Sequence, residues 1–241
     1  MNKVQIPREK FLQTPGLEDW RSEHAAVCVC FRTSSLAASA ELVQAIAALP
    51  GTDDDGLDID IRGDAVYVRI VTITDEYTGV TDQDVELALA ISAVGQRLKV
   101  TTEPSAVQAV KVSFLINYDK GQRRELVDFW RAVLGYQERV GRPDEECGGA
   151  FELVDPRRRG APLSFEYVSK QIDSWEGQTV YDRPSHFHVQ MSRELVHARL
   201  DAAREFGGRD EDEHYETIKL RDPGDTLHFV NFTEVHDPHR R

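Results

Sequence analysis

The sequence of 241 residues predicts an α+β protein with two domains. Three observations support this prediction: a strand-like alternation at residues 66–71, a helix signal at Thr81, and an order of one strand, one helix and three strands that occurs twice after residue 108. We expect an antiparallel sheet with helices on one face, followed by two βαβββ modules. An apolar fraction of 40% is sufficient at this length for two modest hydrophobic cores.

Local signals predict the elements of the first half. β-branched and aromatic residues alternate with others at residues 66–71, as in a half-buried strand. Gly79 is expected to form a tight turn. Thr81 and Asp84 predict a helix start, because the hydroxyl can accept an unpaired backbone N–H and the carboxylate favours the positive helix end. The other expected elements are a strand at 25–31, a helix from Ser34 or Ser35 to about residue 49, a strand containing Ile59 and Ile61, and a buried stripe of Leu87, Ile91, Val94 and Leu98 after Thr81.

The second half repeats a single order of elements at a distance of about 75 residues. A short polar segment, 99–108, is expected to link the two halves. The first module is expected to comprise a strand at 110–118, a helix at 120–134 that ends at Gly135, and strands near 137–141, 149–154 and 162–168. The second is expected to comprise a strand at 186–191, a helix from Ser192 to Phe206, and strands near 214–221 and 226–232.

Charge and composition exclude several classes of function. The formal net charge is −13, and neither half carries the basic stripe that phosphate binding requires, so we expect no nucleic-acid partner and no membrane partner. No apolar run is long enough to span a bilayer, and Cys28 and Cys30 lie on one side of a probable strand, where they are expected as small buried residues. We therefore expect a cytoplasmic protein. The sequence also lacks the glycine-rich and nucleophile motifs of nucleotide-binding proteins and serine hydrolases.

Residues 7–98 resemble the pterin-4a-carbinolamine dehydratase family. The resemblance is carried by T-x-x-x-x-G-V-T-D-Q-D-V-x-L-A from Thr74 onward, by Leu57-Asp58-Ile59-Asp60-Ile61-Arg62, and by Asp19-Trp20-Arg21. It implies dehydration of a 4a-hydroxypterin by histidines, which titrate near neutral pH. In this sequence Asp55 and Gly56 stand in place of the paired histidines, and Ile73 or Asp75 stands in place of the third. Asp55 and Asp75 are therefore the candidate catalytic bases, and the alternative is that both lie in solvated turns.

The second half resembles the glyoxalase-like branch of the vicinal-oxygen-chelate superfamily. The resemblance is carried by residues 129–136, Leu153-Val154-Asp155-Pro156, His186-Phe187-His188-Val189 and Asp222-Pro223-Gly224-Asp225. It implies two modules whose mixed sheet curls around a shared cup. The whole chain is then expected to be a fusion, with a dehydratase-like domain at 1–98, a linker at 99–108, a glyoxalase-like domain at 109–235 and a polar tail at 236–241.

Metal-dependent members of this superfamily use His or Glu ligands to hold a divalent ion that polarises substrate oxygens. His188 matches a ligand position, whereas Val112 and Phe229 occupy two others. We expect no bound metal and no certain cofactor. If a metal binds, His188 and Glu166 are the expected ligands, and the alternative role of His188 is hydrogen bonding inside an apolar pocket.

The sequence therefore predicts a small-molecule binding protein, with pterin or another aromatic metabolite as the ligand. The alternative is a lyase with 4a-hydroxytetrahydropterin dehydratase activity or glyoxalase-type activity. A homo-oligomer, most simply a dimer, is also expected, because dehydratase-family domains resemble one another in self-associating. The expected ligand-binding residues of the cup are Trp130, Phe165, Glu166, Tyr167, His186, His188 and Phe229. For each aromatic residue among them, the alternative is a role in the hydrophobic core.

Overall fold

The computed structural model describes residues 3–52, 56–74, 77–116, 127–128, 130–139, 151–167, 186–214, 216–223 and 227–233. The chain divides into two compact units, one mainly of residues 1–108 and one of residues 109–190 and 196–232. Each is a mixed arrangement of helices and sheets, as the sequence predicts. None of the helices within the described ranges combines the length and hydropathy that a membrane-spanning helix needs.

The first unit contains two antiparallel sheets. Strands β2, β3, β5 and β4 are adjacent in that order, with β8 also paired to β3, and a smaller sheet has the order β1, β7, β6. The sequence analysis predicted one sheet here, because the short strands β1, β6 and β7 lack a long alternating pattern. The elements are β1 (Gln5–Ile6), α1 (Arg8–Leu12), β2 (Arg21–Glu23), β3 (Ala26–Arg32), α2 (Leu36–Ala47), β4 (Leu57–Arg62), β5 (Ala65–Ile70), β6 (Thr72–Ile73), β7 (Thr78–Thr81), α3 (Asp82–Leu98), β8 (Thr101–Thr102) and a 3₁₀ turn (Pro104–Ala106).

The helices α2 and α3 cover one face of the five-stranded sheet. Alternate residues of β3, such as Val29, lie in the same apolar cluster as Leu42 of α2 and Ile91 of α3. Cys28 and Cys30 lie in a separate cluster on the other face of β3. The period of two in the strand thus separates the two faces, and both cysteines project in the same direction, as predicted.

Gly79 lies in strand β7 and not in the tight turn that the sequence predicted. It pairs with Thr72 of β6. A Cβ atom at Gly79 would lie 2.4 Å from the hydroxyl oxygen of Tyr77. That hydroxyl donates to the carbonyl oxygen of Val80 at 2.8 Å and accepts from its N–H at 2.9 Å. Glycine is therefore required by the close approach of a side chain, not by a positive φ angle.

The second unit contains one eight-stranded sheet. Its strand order is β10, β11, β12, β9, β13, β16, β15, β14. The sheet is mixed, because β12 pairs with β9 in parallel whereas β11–β12 and β15–β16 are antiparallel. The elements are β9 (Gln108–Ile116), β10 (Gln137–Glu138), β11 (Phe151–Val154), β12 (Leu163–Tyr167), β13 (His186–Ser192), α4 (Arg193–Glu205), β14 (Arg209–His214), β15 (Thr217–Arg221) and β16 (Leu227–Thr233), and residues 127–128 and 130–134 are also helical.

This strand order has an internal symmetry. The first strand of each module, β9 or β13, lies at the centre of the sheet, and the other three follow outward in the reverse of their chain order. Each module thus places its last strand beside its first, as a repeated strand-helix-three-strand unit does. The central strands β9 and β13 join the two modules into one sheet.

Candidate functional site

Two histidines of β13 and one phenylalanine of β16 form a compact cluster on one face of the second sheet. Residues 186 and 188 project to the same side because side chains alternate along a strand. His186 is only 6% exposed, whereas His188 and Phe229 are half-buried. The cluster therefore has a buried inner residue and two residues that solvent can reach, which is the exposure a binding site needs.

The rings of this cluster are in direct contact. The Nε2 atoms of His186 and His188 lie 3.0 Å apart, within hydrogen-bond distance. The His188 ring stacks on Phe229 with centroids 4.9 Å apart and an interplanar angle of 17°. His186 meets the same phenylalanine edge-on at 5.2 Å. Phe229 thus fixes the orientation of both imidazoles.

Strand β15 extends the same face. Lys219 is the cross-strand partner of Phe229, and Thr217 is the partner of Asn231. Directly opposed residues of an antiparallel pair project to the same side of the sheet. The threonine hydroxyl and the asparagine side-chain oxygen are 2.9 Å apart. The lysine was not among the residues that the sequence analysis selected, because its register with Phe229 depends on the pairing of two strands.

The opposite face of β13 and β16 carries Phe187 and His228. Their rings stack at 5.6 Å, and the Nδ1 atom of His228 accepts the Phe187 backbone N–H at 3.2 Å. Its Nε2 atom lies 3.3 Å from a carboxylate oxygen of Asp222. Toward the middle of the strands this face is apolar and buried, with Val230 at 4% and Ile218 at 3% exposure. His228 and Phe229, which are neighbours in β16, therefore lie on opposite faces of the sheet.

In the first module, one predicted binding residue, Phe165, lies in an apolar core, and another, Trp130, packs against that core. Phe165 is fully buried and stacks on Phe114 at 5.3 Å, and Phe114 stacks on Trp130 at 5.9 Å. Val112 packs against the same cluster, together with Leu163. Trp130 and Phe165 thus take the core role that the sequence analysis gave as their alternative.

The other face of β9 and β12 presents Ser113 beside Ser164 in the strand register. Both are buried, and the Ser113 hydroxyl has no hydrogen-bond partner within the part of the chain that the structure describes. Alternation places this serine, not Val112, on the face away from the aromatic core. The resemblance puts Val112 at a ligand position, but Val112 packs against the aromatic core. A shift of one position along a strand exchanges the two faces of the sheet.

Comparison with known proteins agrees with this architecture. Residues 116–230 match the family model described as a glyoxalase-like domain. The second half of the chain is therefore similar to a glyoxalase-like domain. The match covers slightly less than half of the chain, and it supports the part of the predicted fusion that concerns this superfamily. No functionally curated protein shows a significant match to the chain.

The matches to similar solved structures cover about half of the length of the chain. A glyoxalase/bleomycin resistance protein/dioxygenase superfamily member from Vibrio splendidus is 16% identical, with 52% of the present chain and 98% of that chain covered and a TM-score of 0.31. A lactoylglutathione lyase from Agrobacterium tumefaciens is 14% identical, with 54% and 96% covered and a TM-score of 0.21. The fosfomycin resistance protein FosX from Listeria monocytogenes is 11% identical, with 51% and 86% covered and a TM-score of 0.20. At these values no conclusion about function follows from the likeness.

Four of the predicted site residues have side chains outside the part of the chain that the structure describes. The side chains of Glu166 and Tyr167, and all of Asp55 and Asp75, lie outside the described residues. Glu166 belongs to β12, beside Leu115 of β9 in the strand register. The dehydratase-like identity of residues 7–98 and a pterin ligand therefore remain predictions, whereas the glyoxalase-like domain has independent support.

The histidine pair of the glyoxalase-like domain meets part of the geometric requirement for a divalent ion. Two imidazole nitrogens that bind one ion at about 2.1 Å each, at a right angle, lie about 3.0 Å apart. The observed Nε2 separation is 3.0 Å. Within the described ranges, however, no third His, Cys, Asp or Glu side chain completes a metal-binding group. The described donors thus fit two positions of a coordination shell and no more.

The first unit contains a separate cavity of about 380 Å³. It lies beside the C-terminal half of α3, where Ser92 accepts the indole N–H of Trp20 at 3.0 Å. At Gly95 a Cβ atom would lie 2.6 Å from Phe31, so this glycine is needed for close packing of the helix on β3. The cavity is lined by Gly16, Glu18, Asp19, Val29, Phe31, Ser92, Gly95, Gln96, Val100, Thr101 and Thr102, none of which was a predicted site residue.

Proposed function

We propose that the glyoxalase-like domain binds a small planar organic molecule on the face formed by β13, β16 and β15. The observation that carries this proposal is the cluster of His186, His188 and Phe229, which joins two hydrogen-bonding rings to an aromatic platform on a partly exposed face. The family match of residues 116–230 supports the choice of this domain.

The chemistry of the cluster suits a flat molecule with a carbonyl or hydroxyl group. A neutral imidazole has one N–H donor and one acceptor nitrogen, so the bond between His186 and His188 uses a donor of one ring and an acceptor of the other. A ligand oxygen at His188 can replace the hydrogen bond between the two rings, or it can form a further hydrogen bond in addition to it. Stacking on a partly exposed aromatic ring contributes about 0.5–1.5 kcal/mol beyond the burial of apolar area. Stacking on the ring fixes the plane of the ligand, and hydrogen bonding to the imidazole fixes which edge of the ligand faces His188.

Binding of the neutral planar probe salicylamide tests the proposal. We expect saturable binding by isothermal titration calorimetry, and a loss of at least about tenfold in affinity for His188→Ala, which corresponds to about 1.4 kcal/mol. Phe229→Leu should also weaken binding, because it removes the stacking surface but leaves an apolar side chain.

His197→Ala is the matched control for this experiment, because His197 is an exposed residue of α4 outside the cluster. It should bind salicylamide as the wild type does. Circular dichroism and thermal unfolding establish that each variant is folded. Equal affinity of the wild type, the His188→Ala variant and the His197→Ala variant contradicts the proposed site.

A second candidate function is a metal-dependent lyase of the glyoxalase type. The convergence of the two Nε2 atoms at 3.0 Å favours it. His186 and His188 would hold the ion, and when bound it would polarise substrate oxygens as a Lewis acid. The protein's own contribution would be to orient the substrate over Phe229.

Titration with Co²⁺ separates this candidate from binding alone. A metal site should give visible absorption bands with one equivalent of Co²⁺, which EDTA removes and which His186→Ala and His188→Ala abolish. The His197→Ala variant should keep the bands. Salicylamide binding that is unchanged by EDTA, without any Co²⁺ spectrum, favours a binding protein that needs no ion.

A further inference from the structure

The cavity of the first unit has the volume of a small-molecule site. It measures about 380 Å³, and ligand pockets commonly occupy about 300–1,000 Å³. Its lining residues fall between positions 16 and 102, all within the first unit. A ligand bound there would therefore contact residues of this unit alone among those that the structure describes.

The cavity has an apolar floor and a polar rim. Val29 and Phe31 of β3 line it and are each only 1% exposed, so they form its inner wall. Glu18, Asp19 and Gln96 also line it and are exposed, so they lie toward solvent. This arrangement suits a ligand with an apolar stem and one polar end.

Two carboxylates of the rim keep their negative charge. Oε1 of Glu18 accepts the backbone N–H of Gly16 at 2.9 Å, and Oδ2 of Asp19 accepts the hydroxyl of Thr102 at 2.7 Å. The bond from Gly16 lowers the pKa of Glu18, so this carboxyl is ionised at neutral pH. Within the described ranges, neither carboxylate forms an ion pair with a basic side chain. Each therefore has one oxygen available to a ligand.

The end of helix α3 adds to the negative potential at the cavity. Ser92 and Gln96, which line the cavity, belong to the last two turns of α3, and aligned peptide dipoles place partial negative charge at that end. Arg97 and Lys99 are exposed nearby, and neither is among the described residues that line the cavity. Residues 1–108 also carry 17 acidic and 9 basic side chains, a net charge of −8. Both the local and the long-range potential favour a cation.

We propose that this cavity binds a small organic cation, an ammonium group on an apolar stem, and that Glu18 and Asp19 recognise its charge. The ammonium group donates to the free carboxylate oxygens at the rim, and the stem extends toward Val29 and Phe31. A metal ion suits the site less well, because no three His, Cys, Asp or Glu side chains are grouped together among the described residues. This inference is independent of the proposed function, which concerns the other unit.

The experiment compares benzylamine, which is protonated at neutral pH, with benzyl alcohol, which has the same ring and no charge. The indole N–H of Trp20 donates to cavity-lining Ser92 at 3.0 Å, so its NMR resonance reports on binding at this site. The Trp20→Phe variant identifies that resonance among the three tryptophans. We expect a saturable shift with benzylamine, and an affinity about tenfold higher than for benzyl alcohol.

The double variant Glu18→Gln with Asp19→Asn tests the two carboxylates. Each amide keeps an oxygen that can accept the internal hydrogen bond, so the variant removes charge but not the local structure. It should lower the preference for benzylamine to about twofold or less and leave the affinity for benzyl alcohol within about twofold. Salt should weaken benzylamine binding in the wild type but not in the double variant. Thermal unfolding checks the fold, and if the double variant is unstable, each single variant should lower the preference about threefold.

Glu41→Gln is the matched control, because it removes one negative charge at an exposed residue of α2 that does not line the cavity. It should keep the preference for benzylamine. Equal affinity of the wild type for both probes would show that the site does not select charge, and the inference would be wrong. The same loss of preference in Glu41→Gln as in a single rim variant would assign the preference to net charge and also overturn it. If neither probe shifts the Trp20 resonance, the cavity does not bind such molecules, and the proposed function of the other unit still stands.

Discussion

Asp84 is a charged residue that the fold has buried. It lies in the first turn of α3 and is only 7% exposed. One of its oxygens, Oδ2, accepts three hydrogen bonds: from the hydroxyl of Thr72 at 2.8 Å, from the backbone N–H of Thr81 at 2.7 Å, and from the hydroxyl of Thr81 at 2.8 Å. The carboxylate therefore joins the helix start to strand β6. The local pair of Thr81 and Asp84 was predicted from sequence, whereas the contact with Thr72 depends on the tertiary fold.

Replacement of Asp84 should destabilise the protein far more than replacement of Asp82 in the same helical turn. Asp84→Ala leaves the buried donors of Thr72 and Thr81 without an acceptor, which we expect to lower the free energy of unfolding by about 2–3 kcal/mol. Asp82→Ala should cost less than about 1 kcal/mol, because Asp82 is exposed and its bonds to the N–H groups of Val4 and Gln83 can be replaced by water. Urea denaturation of both variants measures the difference. An equal decrease in the free energy of unfolding for both variants would show that the buried hydrogen bonds of Asp84 contribute no more stability than the exposed ones of Asp82.

The elements of the site differ in how much of them the sequence determines. In β13, alternation places His186 and His188 on one face of the sheet. In β16, alternation places His228 and Phe229 on opposite faces, and the ring contacts agree with both arrangements. These features depend only on residues next to each other in the chain. A periodic pattern is therefore sufficient to predict them.

Features that depend on pairing between elements were not predicted. The position of Lys219 opposite Phe229 depends on the register of β15 and β16. The core role of Trp130 and Phe165, which the sequence analysis gave only as an alternative, depends on which face of β9 and β12 the helix covers. Gly79 likewise has a local sequence typical of a turn, but the hydroxyl of Tyr77 determines its role. Such interactions leave no periodic signal in one sequence.

At the scale of the whole molecule, the sequence predicted the repeat of two modules and the mixed character of the fold. The strand order of the second sheet agrees with that repeat. The segment 99–108, expected to be a linker, contains β8 and a 3₁₀ turn, and β8 pairs with β3 of the first unit. A two-residue strand has too little pattern to be recognised from sequence, although its pairing adds a strand to the edge of a sheet.

The first unit also buries ionisable groups on the side of its sheet away from the helices. The thiol of Cys28 and the hydroxyl of Tyr67 both donate to Oε2 of Glu23, at 2.9 Å each. Burial, with a further contribution from the carboxylate of Glu23, raises the pKa of the Cys28 thiol well above its usual value. Burial likewise raises the pKa of Cys30 and of Tyr67. All three groups are therefore held in their protonated, neutral forms in the folded protein.

The stability of the whole protein should consequently fall in alkaline solution. Above the unfolded thiol pKa of about 8.5, the unfolded chain releases the Cys28 proton while the folded protein retains it, so unfolding becomes more favourable by about 1.4 kcal/mol for each pH unit. The loss should continue until the pH reaches the raised pKa of the folded state. Urea denaturation at a series of pH values from neutral to alkaline, under reducing conditions, measures this slope. Cys28→Ala should flatten it by the contribution of one proton, because the variant has no thiol at that position to titrate. Parallel profiles for the wild type and the variant would mean that Cys28 ionises as readily in the folded protein as in the unfolded chain.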